Sequence, residues 1–233
     1  MNIAIILSGG VGSRMGNNIP KQYIMIDGNP VIYYCLNTFS ESKEIDCIVI
    51  VVSDEWRHYV EELVRKMEIR KPVLYAHSGK TRQYSIYNGL IEISKNGAQE
   101  SDIVIIHDAA RPLVSCELIS SCLQGCDSSD GILPVIPVKD TLYQSRDGQS
   151  ISSLLNRNEL FAGQAPEAFL FGKYLDLHKT MQDEELLKIN GSTEIAYKGG
   201  LNIKLIKGDV MNFKITTPED LSNFKSIIKT RKK

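Results

Sequence analysis

A mostly parallel β-sheet with helices on both faces, an α/β architecture, is the expectation for this chain, and two regularities carry it. Short runs of aliphatic and β-branched residues, too apolar to leave either sheet face in water, recur along the sequence. Segments with apolar residues at helical spacing alternate with them, and a β-α-β-α order builds a parallel sheet through right-handed crossovers. The strand candidates are residues 2–7, 45–52, 73–76, 103–107 and 132–136. The helix candidates are 31–39, 54–67, 82–95 and 116–125, with Asp54 and Ser115 suited to N-cap the second and fourth. Crossovers of one hand bring the strand C-termini to one edge, where such sheets bind ligands. That edge should hold residues 8–16, 53–54, 77–81, 108–112 and 137–141.

From residue 139 to about 157 the pattern turns polar. The segment Ser145-Arg146-Asp147-Gly148-Gln149 carries the Asp-Gly signature of a hairpin turn between two extended runs. Those runs are too polar for the interior of the sheet, and a lone hairpin is marginal in water. Residues 138–160 are therefore expected to form a projecting β-arm that packs on a second subunit, within a single domain spanning 1–233. Helical patterns follow at 171–181, 193–198 and 218–228, with a strand at 203–206. Thr217 before Pro218 reads as an N-cap and a first-turn proline.

Composition excludes several classes. Lys and Arg total 27 against 28 Asp and Glu, a net charge of −1 in 233 residues. A nucleic-acid binder or a polybasic membrane-surface protein would show a basic excess. No apolar run approaches the roughly 20 residues of a spanning helix, and the N-terminus reads as a first strand rather than a signal peptide. The five cysteines include no Cys-x-x-Cys pair, which argues against structural zinc and for reduced thiols in a cytoplasmic protein.

The most informative segment is Leu7-Ser8-Gly9-Gly10-Val11-Gly12-Ser13-Arg14-Met15-Gly16. Glycines after a first strand let backbone N–H groups approach an anion closely. A P-loop would close with Gly-Lys-Ser/Thr, whereas Gly12 is followed by Ser13-Arg14. A dinucleotide fingerprint would place glycine at Met15 and open a long helix, which Pro20 interrupts, and Ile32 stands near where an acidic residue is required. The reading that survives is a nucleotidyltransferase loop, in which backbone donors hold phosphates while Arg14 and Lys21 add full positive charge. Asp108, at a strand C-terminus, can hold Mg²⁺ or serve as a turn-capping carboxylate. Lys214, between Phe213 and Ile215, either meets an anion or lies at the surface. Among the histidines, His58 and His178 are expected at the surface, His77 in a loop, and His107 in a structural role at the end of a buried strand.

These motifs resemble the cytidylyltransferase family that includes the 2-C-methyl-D-erythritol 4-phosphate and ribitol-5-phosphate enzymes. The landmarks, in order, are the glycine loop, Pro20-Lys21-Gln22-Tyr23, His107-Asp108-Ala109-Ala110-Arg111-Pro112, Val138-Lys139-Asp140-Thr141, Arg157-Asn158 and Lys214-Ile215-Thr216-Thr217-Pro218-Glu219-Asp220-Leu221. The resemblance implies a Rossmann-like, nucleotide-diphospho-sugar-transferase-like fold. It implies transfer of CMP from CTP to a phosphorylated sugar alcohol, with release of pyrophosphate. It assigns Arg14, Lys21 and Lys214 to catalysis and Asp108 to the metal. It assigns Leu7, Ser8, Gly9, Gly10, Gly12, Gly79, Arg82, Ser85 and Ala109 to the nucleotide. Arg111, Thr141, Arg157 and Ala165 fall to the acceptor, with Thr141 and Arg157 supplied by the arm of a second subunit in a homodimer. An NADP-dependent oxidoreductase and a non-catalytic nucleotide-binding module stand as the alternatives.

Departures from the family pattern cluster on the acceptor side. Ala165-Pro166-Glu167 stands where Thr-Pro-Gln is usual, removing a hydroxyl and adding an anion near the acceptor phosphate. Asn190-Gly191-Ser192-Thr193-Glu194 replaces a Thr-Asp-Glu/Ala-Ala-Ser segment. Met211 occupies a position often held by Asp, with Asp209 two residues earlier as a possible second metal ligand. Lys80 replaces an acidic residue on the cytosine side. The expectation is a CTP-dependent enzyme whose acceptor differs from methylerythritol phosphate, such as an alditol phosphate.

Overall fold

The computed structural model describes residues 1–10 and 19–231. Its elements run β1 (Asn2–Leu7), β2 (Met25–Ile26), β3 (Asn29–Pro30), α1 (Val31–Glu41), β4 (Cys47–Val52), α2 (Asp54–Lys66), β5 (Val73–His77) and α3 (Arg82–Lys95). They continue with β6 (Ile103–Asp108), α4 (Cys116–Gly125), β7 (Gly131–Pro137), β8 (Tyr143–Gln144), β9 (Ser153–Leu154), β10 (Phe161–Gly163) and β11 (Glu167–Leu170). The last are α5 (Phe171–Thr180), α6 (Asp183–Leu186), α7 (Ser192–Lys198), β12 (Ile203–Lys207) and α8 (Pro218–Arg231).

The main sheet runs β5-β4-β1-β6-β11-β7, with β10 and β12 also on β7. β1 pairs parallel with β4 and β6, and β4 with β5. β11 is antiparallel to both β6 and β7, so it separates two strands that run the same way. β10 is antiparallel to the other half of β7, and β12 pairs parallel along that strand's opposite side. The expected parallel sheet is thus present with an antiparallel insertion at 161–170 that the apolar-run pattern did not reveal. Glu167 and Pro166 make that segment look like a loop.

Strand alternation explains the two layers of helices. Ala4, Ile6, Ile48 and Ile50 face one way and pack with α1, α2 and α4; Ile3, Ile5, Val49 and Val51 face the other and pack with α3, α5 and α7. Each fully buried isoleucine contributes about 2 kcal/mol of transfer free energy. A third cluster joins Ile26, Val31, Leu113, Ile215, Phe224 and Ile228, seating α8 beside the start of α1. No helix among the described residues is long and apolar enough to cross a membrane.

Some local expectations need correcting. Ser53, not Asp54, takes the N-cap position of α2, without a side-chain cap; Asp54 is its first helical residue, where a carboxylate suits the helix dipole. Ser115 does cap α4, accepting from the Leu118 amide at 3.2 Å. His178 is buried, not at the surface, between Tyr174 and Tyr87. The arm hairpin is shorter than its extended runs implied, with only Tyr143 opposite Leu154 and Gln144 opposite Ser153.

Candidate active site

The parallel register sets the site. Leu7 stands opposite Val51 on one side and Asp108 on the other, so β1, β4 and β6 end together. The Ala109 amide donates to the Leu7 carbonyl at 3.0 Å and carries the chain past Asp108 into the loop. Ser8 and Ala109 are buried in this edge. Gln22 Nε2 donates to the carbonyls of Ser8 (2.7 Å) and Gly10 (2.8 Å), and the Tyr23 and Ser8 hydroxyls meet at 2.7 Å. Trp56 stacks on Tyr23 with ring centroids 4.4 Å apart. The Pro-Lys-Gln-Tyr segment therefore clamps the start of the glycine loop, and half-buried Lys21 opens that clamp as the first residue of a short 3-10 turn. Gly12 and Arg14 lie outside the described residues.

Two loops assigned to the nucleotide touch. A methyl group at Gly9 would overlap the Cβ of Ser78, so only glycine allows this approach. The Gly79 amide donates to Ser85 Oγ at 2.9 Å, and that hydroxyl donates to the Thr81 carbonyl at 3.0 Å. Ser85 thus braces the loop before α3. Lys80 is exposed, with its ammonium 4.5 Å from the centre of the Tyr84 ring.

Asp108 is the centre of charge. Lys214 Nζ lies 2.9 Å from Oδ2, Arg82 Nη2 3.2 Å from Oδ1, and Arg111 Nε 3.7 Å from Oδ2. Burial alone would raise the Asp108 pKa, but Arg82, Lys214 and Arg111 together hold it well below the usual carboxylate range. The carboxylate is therefore ionised throughout the physiological range. Three cations against Asp108 and Glu167 leave an excess of positive charge suited to phosphate.

Each partner is placed by the backbone around it. Arg82 opens α3, and its Nε is also 3.4 Å from Asp108 Oδ1. Arg111 donates to the Asn212 carbonyl at 2.8 Å, and His107 Nε2 donates to the Arg111 carbonyl at 3.0 Å. Burial pushes the His107 pKa down to about 4, so the ring is neutral and acts as a brace rather than a titrating base near neutrality. Lys214 is fixed by its neighbour: the fully buried Ile215 donates its amide to the Ala110 carbonyl at 2.8 Å. Ala165 is buried, and its carbonyl accepts from Asn212 Nδ2 at 2.7 Å.

Sequence reasoning did not foresee the role of Glu167. It is buried, and its carboxylate accepts from Ser192 Oγ (2.8 Å) and Thr193 Oγ1 (2.6 Å) and lies 3.5 Å from Arg82 Nη2. It is not an uncompensated anion facing the acceptor. The available signal was its coincidence with Ser192-Thr193, two departures from the family pattern that meet in space.

Thr141 and Arg157 do not join the Asp108 cluster within this chain. Both line a shallow cavity of about 440 Å³ on the arm, with Leu154, Leu155, Asn156 and Asn158. Asp108 offers an ionised carboxylate oxygen, the hard donor type that Mg²⁺ takes, and no group of three His, Cys, Asp or Glu that could hold a metal occurs among the described residues. Mg²⁺ bound through one carboxylate takes its remaining ligands from phosphate and water. Asp209 Oδ1 instead accepts from the Met211 amide at 2.8 Å.

Comparison with known proteins shows the family to which the chain is similar. The family model for IspD, 2-C-methyl-D-erythritol 4-phosphate cytidylyltransferase, matches residues 2–230. A ribitol-5-phosphate cytidylyltransferase of Vibrio parahaemolyticus is 33% identical over 232 residues, covering 99% of this chain and 97% of the relative. A 2-C-methyl-D-erythritol 4-phosphate cytidylyltransferase of Clostridium novyi is 34% identical over 232 residues, covering 99% and 98%. A crystal structure of a 4-diphosphocytidyl-2C-methyl-D-erythritol synthase aligns with TM-score 0.81 at 28% identity, covering 97% of each chain.

Proposed function

The chain belongs to the IspD family of cytidylyltransferases, and from that membership we propose how its residues divide the reaction and which acceptor they take. It is a CTP-dependent enzyme that joins CMP to a phosphorylated sugar alcohol with release of pyrophosphate. An oxygen of the acceptor phosphate attacks the α-phosphorus of CTP; the new P–O bond forms as the bond to the β-phosphate bridging oxygen breaks. The nucleophile is already an anion, so positioning and charge stabilisation, not a strong base, are what the protein supplies. The observation that carries this reading is Asp108 ringed by Lys214, Arg82 and Arg111 at the strand edge beside the glycine loop.

In this reading the backbone of Ser8, Gly9, Gly10 and Gly12 and the loop at Gly79 and Ser85 hold CTP. Arg14, Lys21 and Lys214 bear on its phosphates, and Arg111 binds the acceptor phosphate. Asp108 would hold Mg²⁺, which would supply charge neutralisation to the phosphates. Residues 138–160 would act as a dimerisation arm bringing Thr141 and Arg157 to a neighbour's site. Support comes from their exposure: every residue from 139 to 159 except Ser153 is exposed, including Leu142, Tyr143, Ile151, Leu154 and Leu155. A cytoplasmic setting fits the unpaired cysteines.

The acceptor we favour is an alditol phosphate such as ribitol 5-phosphate rather than methylerythritol phosphate. Ala165 cannot donate a side-chain hydrogen bond, and exposed Met211 offers no carboxylate. Purified protein with CTP, Mg²⁺ and a panel of polyol phosphates should release pyrophosphate with an alditol phosphate. Turnover only with 2-C-methyl-D-erythritol 4-phosphate would overturn the acceptor assignment, and no CTP-dependent turnover with any polyol phosphate would overturn the reaction.

A further inference from the structure

We infer that Glu167 is a positioning residue that fixes the Arg82 guanidinium for the nucleotide, an inference that rests on the cytidylyl-transfer reading. Glu167 opens β11 directly opposite Ile106, two residues before Asp108 in β6. The pleat turns Ile106, Asp108 and Glu167 to one face of the sheet, the face covered by α3, α5 and α7. Arg82 is the first residue of α3, and Ser192 and Thr193 open α7. A buried carboxylate is costly unless paired and hydrogen-bonded. Glu167 meets that demand with two hydroxyls and Arg82.

Arg82 is held from two sides. Its Nη2 lies 3.2 Å from Asp108 and 3.5 Å from Glu167, while its Nη1 donates to Ser192 Oγ, whose own proton goes to Glu167. The bracket is itself anchored. Tyr174 donates to the Ser192 carbonyl at 3.0 Å, and Gln83 Nε2 donates to the Gly191 carbonyl at 2.8 Å. Without the Glu167 charge, Arg82 loses the anion on one side of its guanidinium and keeps Asp108 on the other, so its balance tips toward Asp108. Its guanidinium would then shift toward Asp108 and leave that carboxylate more fully neutralised. Glu167 thereby sets the orientation of the nucleotide-side arginine before substrate arrives.

The test is a double-mutant cycle read by CTP affinity from calorimetric titration together with steady-state pyrophosphate release. Glu167→Gln keeps side-chain volume and one oxygen acceptor but removes the charge. It should raise the CTP dissociation constant and KM by about tenfold and change kcat by less than about threefold. In an Arg82→Ala background the same change should add nothing, because its effect passes through Arg82. Should Glu167→Gln fail to fold, Ser192→Ala loosens the same bracket with both charges kept and should weaken CTP by about threefold. Equal weakening by Glu167→Gln with and without Arg82, or unchanged CTP affinity in the folded variant, would overturn the inference. Wild-type protein that binds no CTP would overturn the cytidylyltransferase reading itself, an outcome distinct from lost coupling.

Discussion

Lys214 illustrates how a single side chain acquires its chemistry from its neighbours. Ile215 buries its whole side chain and its amide is tied to Ala110, so the preceding lysine is delivered to Asp108 instead of solvent. Lys214→Ala and Lys21→Ala should each lower kcat by about 10²-fold or more, with the cooperative melting transition retained; near-normal turnover in both would refute their role in stabilising phosphate charge. Histidine makes a different prediction. Burial holds His107 and His178 each down to about 4, against an ordinary value of 6.5. Unfolded, each takes its proton near pH 6.5; folded, only near pH 4. Stability from this source is complete above pH 6.5 and is lost as the pH falls toward 4, by up to about 3 kcal/mol per histidine. Melting temperature should fall steadily from pH 7 to 4.5, and His178→Gln should remove about half the slope; a flat profile between pH 7 and 5 would contradict it. The sequence reading places His178 at the surface, but it lies three and four residues after Leu175 and Tyr174, in the apolar stripe of α5, and is buried with them.

Elements differ in how much of themselves they show locally. β1, α3 and α4 occupy the spans their sequences imply, because aliphatic runs and helical spacing need no partner to be recognised. β11 hides because its first residue is charged and follows a proline; only Arg82, Ser192 and Thr193, distant in sequence, make a buried glutamate tolerable there. The candidate site divides the same way. The glycine loop and Asp108 are legible from type and order, whereas the partners that keep Asp108 ionised come from α3, the loop after β6 and the segment before α8. The loop before α3 carries a prediction at this scale. A methyl at Gly79 would overlap Tyr84 Cβ and lie 2.8 Å from the Ser85 amide. Gly79→Ala must therefore displace the start of α3, and it should weaken CTP binding by about tenfold or more while leaving the sheet core intact. Calorimetric titration with CTP would check this, and unchanged affinity would show that the loop yields without consequence.

At the scale of the whole molecule, the charge cluster around Asp108 stands apart from the arm that carries Thr141 and Arg157, where Arg157 donates to the Lys139 carbonyl on the arm itself. Among the described residues the arm ladder joins no strand of the main sheet, and its exposed leucines, isoleucine and tyrosine gain nothing in water. In the two-fold dimer proposed above, an isologous contact would place each arm at the partner's site. That arrangement can be tested without a structure of the dimer. A Lys214→Ala subunit has a damaged sheet-edge site but an intact arm; an Arg157→Ala subunit has the reverse. In a mixed dimer, one site combines both defects, and the other combines the intact Lys214 of one subunit with the intact Arg157 of its partner. Random remixing at equal amounts makes half the dimers mixed, each with one sound site of two, so activity should recover to about a quarter of wild type. Each variant alone should remain nearly inactive. If the arm served its own subunit's site, mixing would restore nothing beyond the sum of the separate variants, and recovery above that sum is the result that assigns the arm to the neighbour.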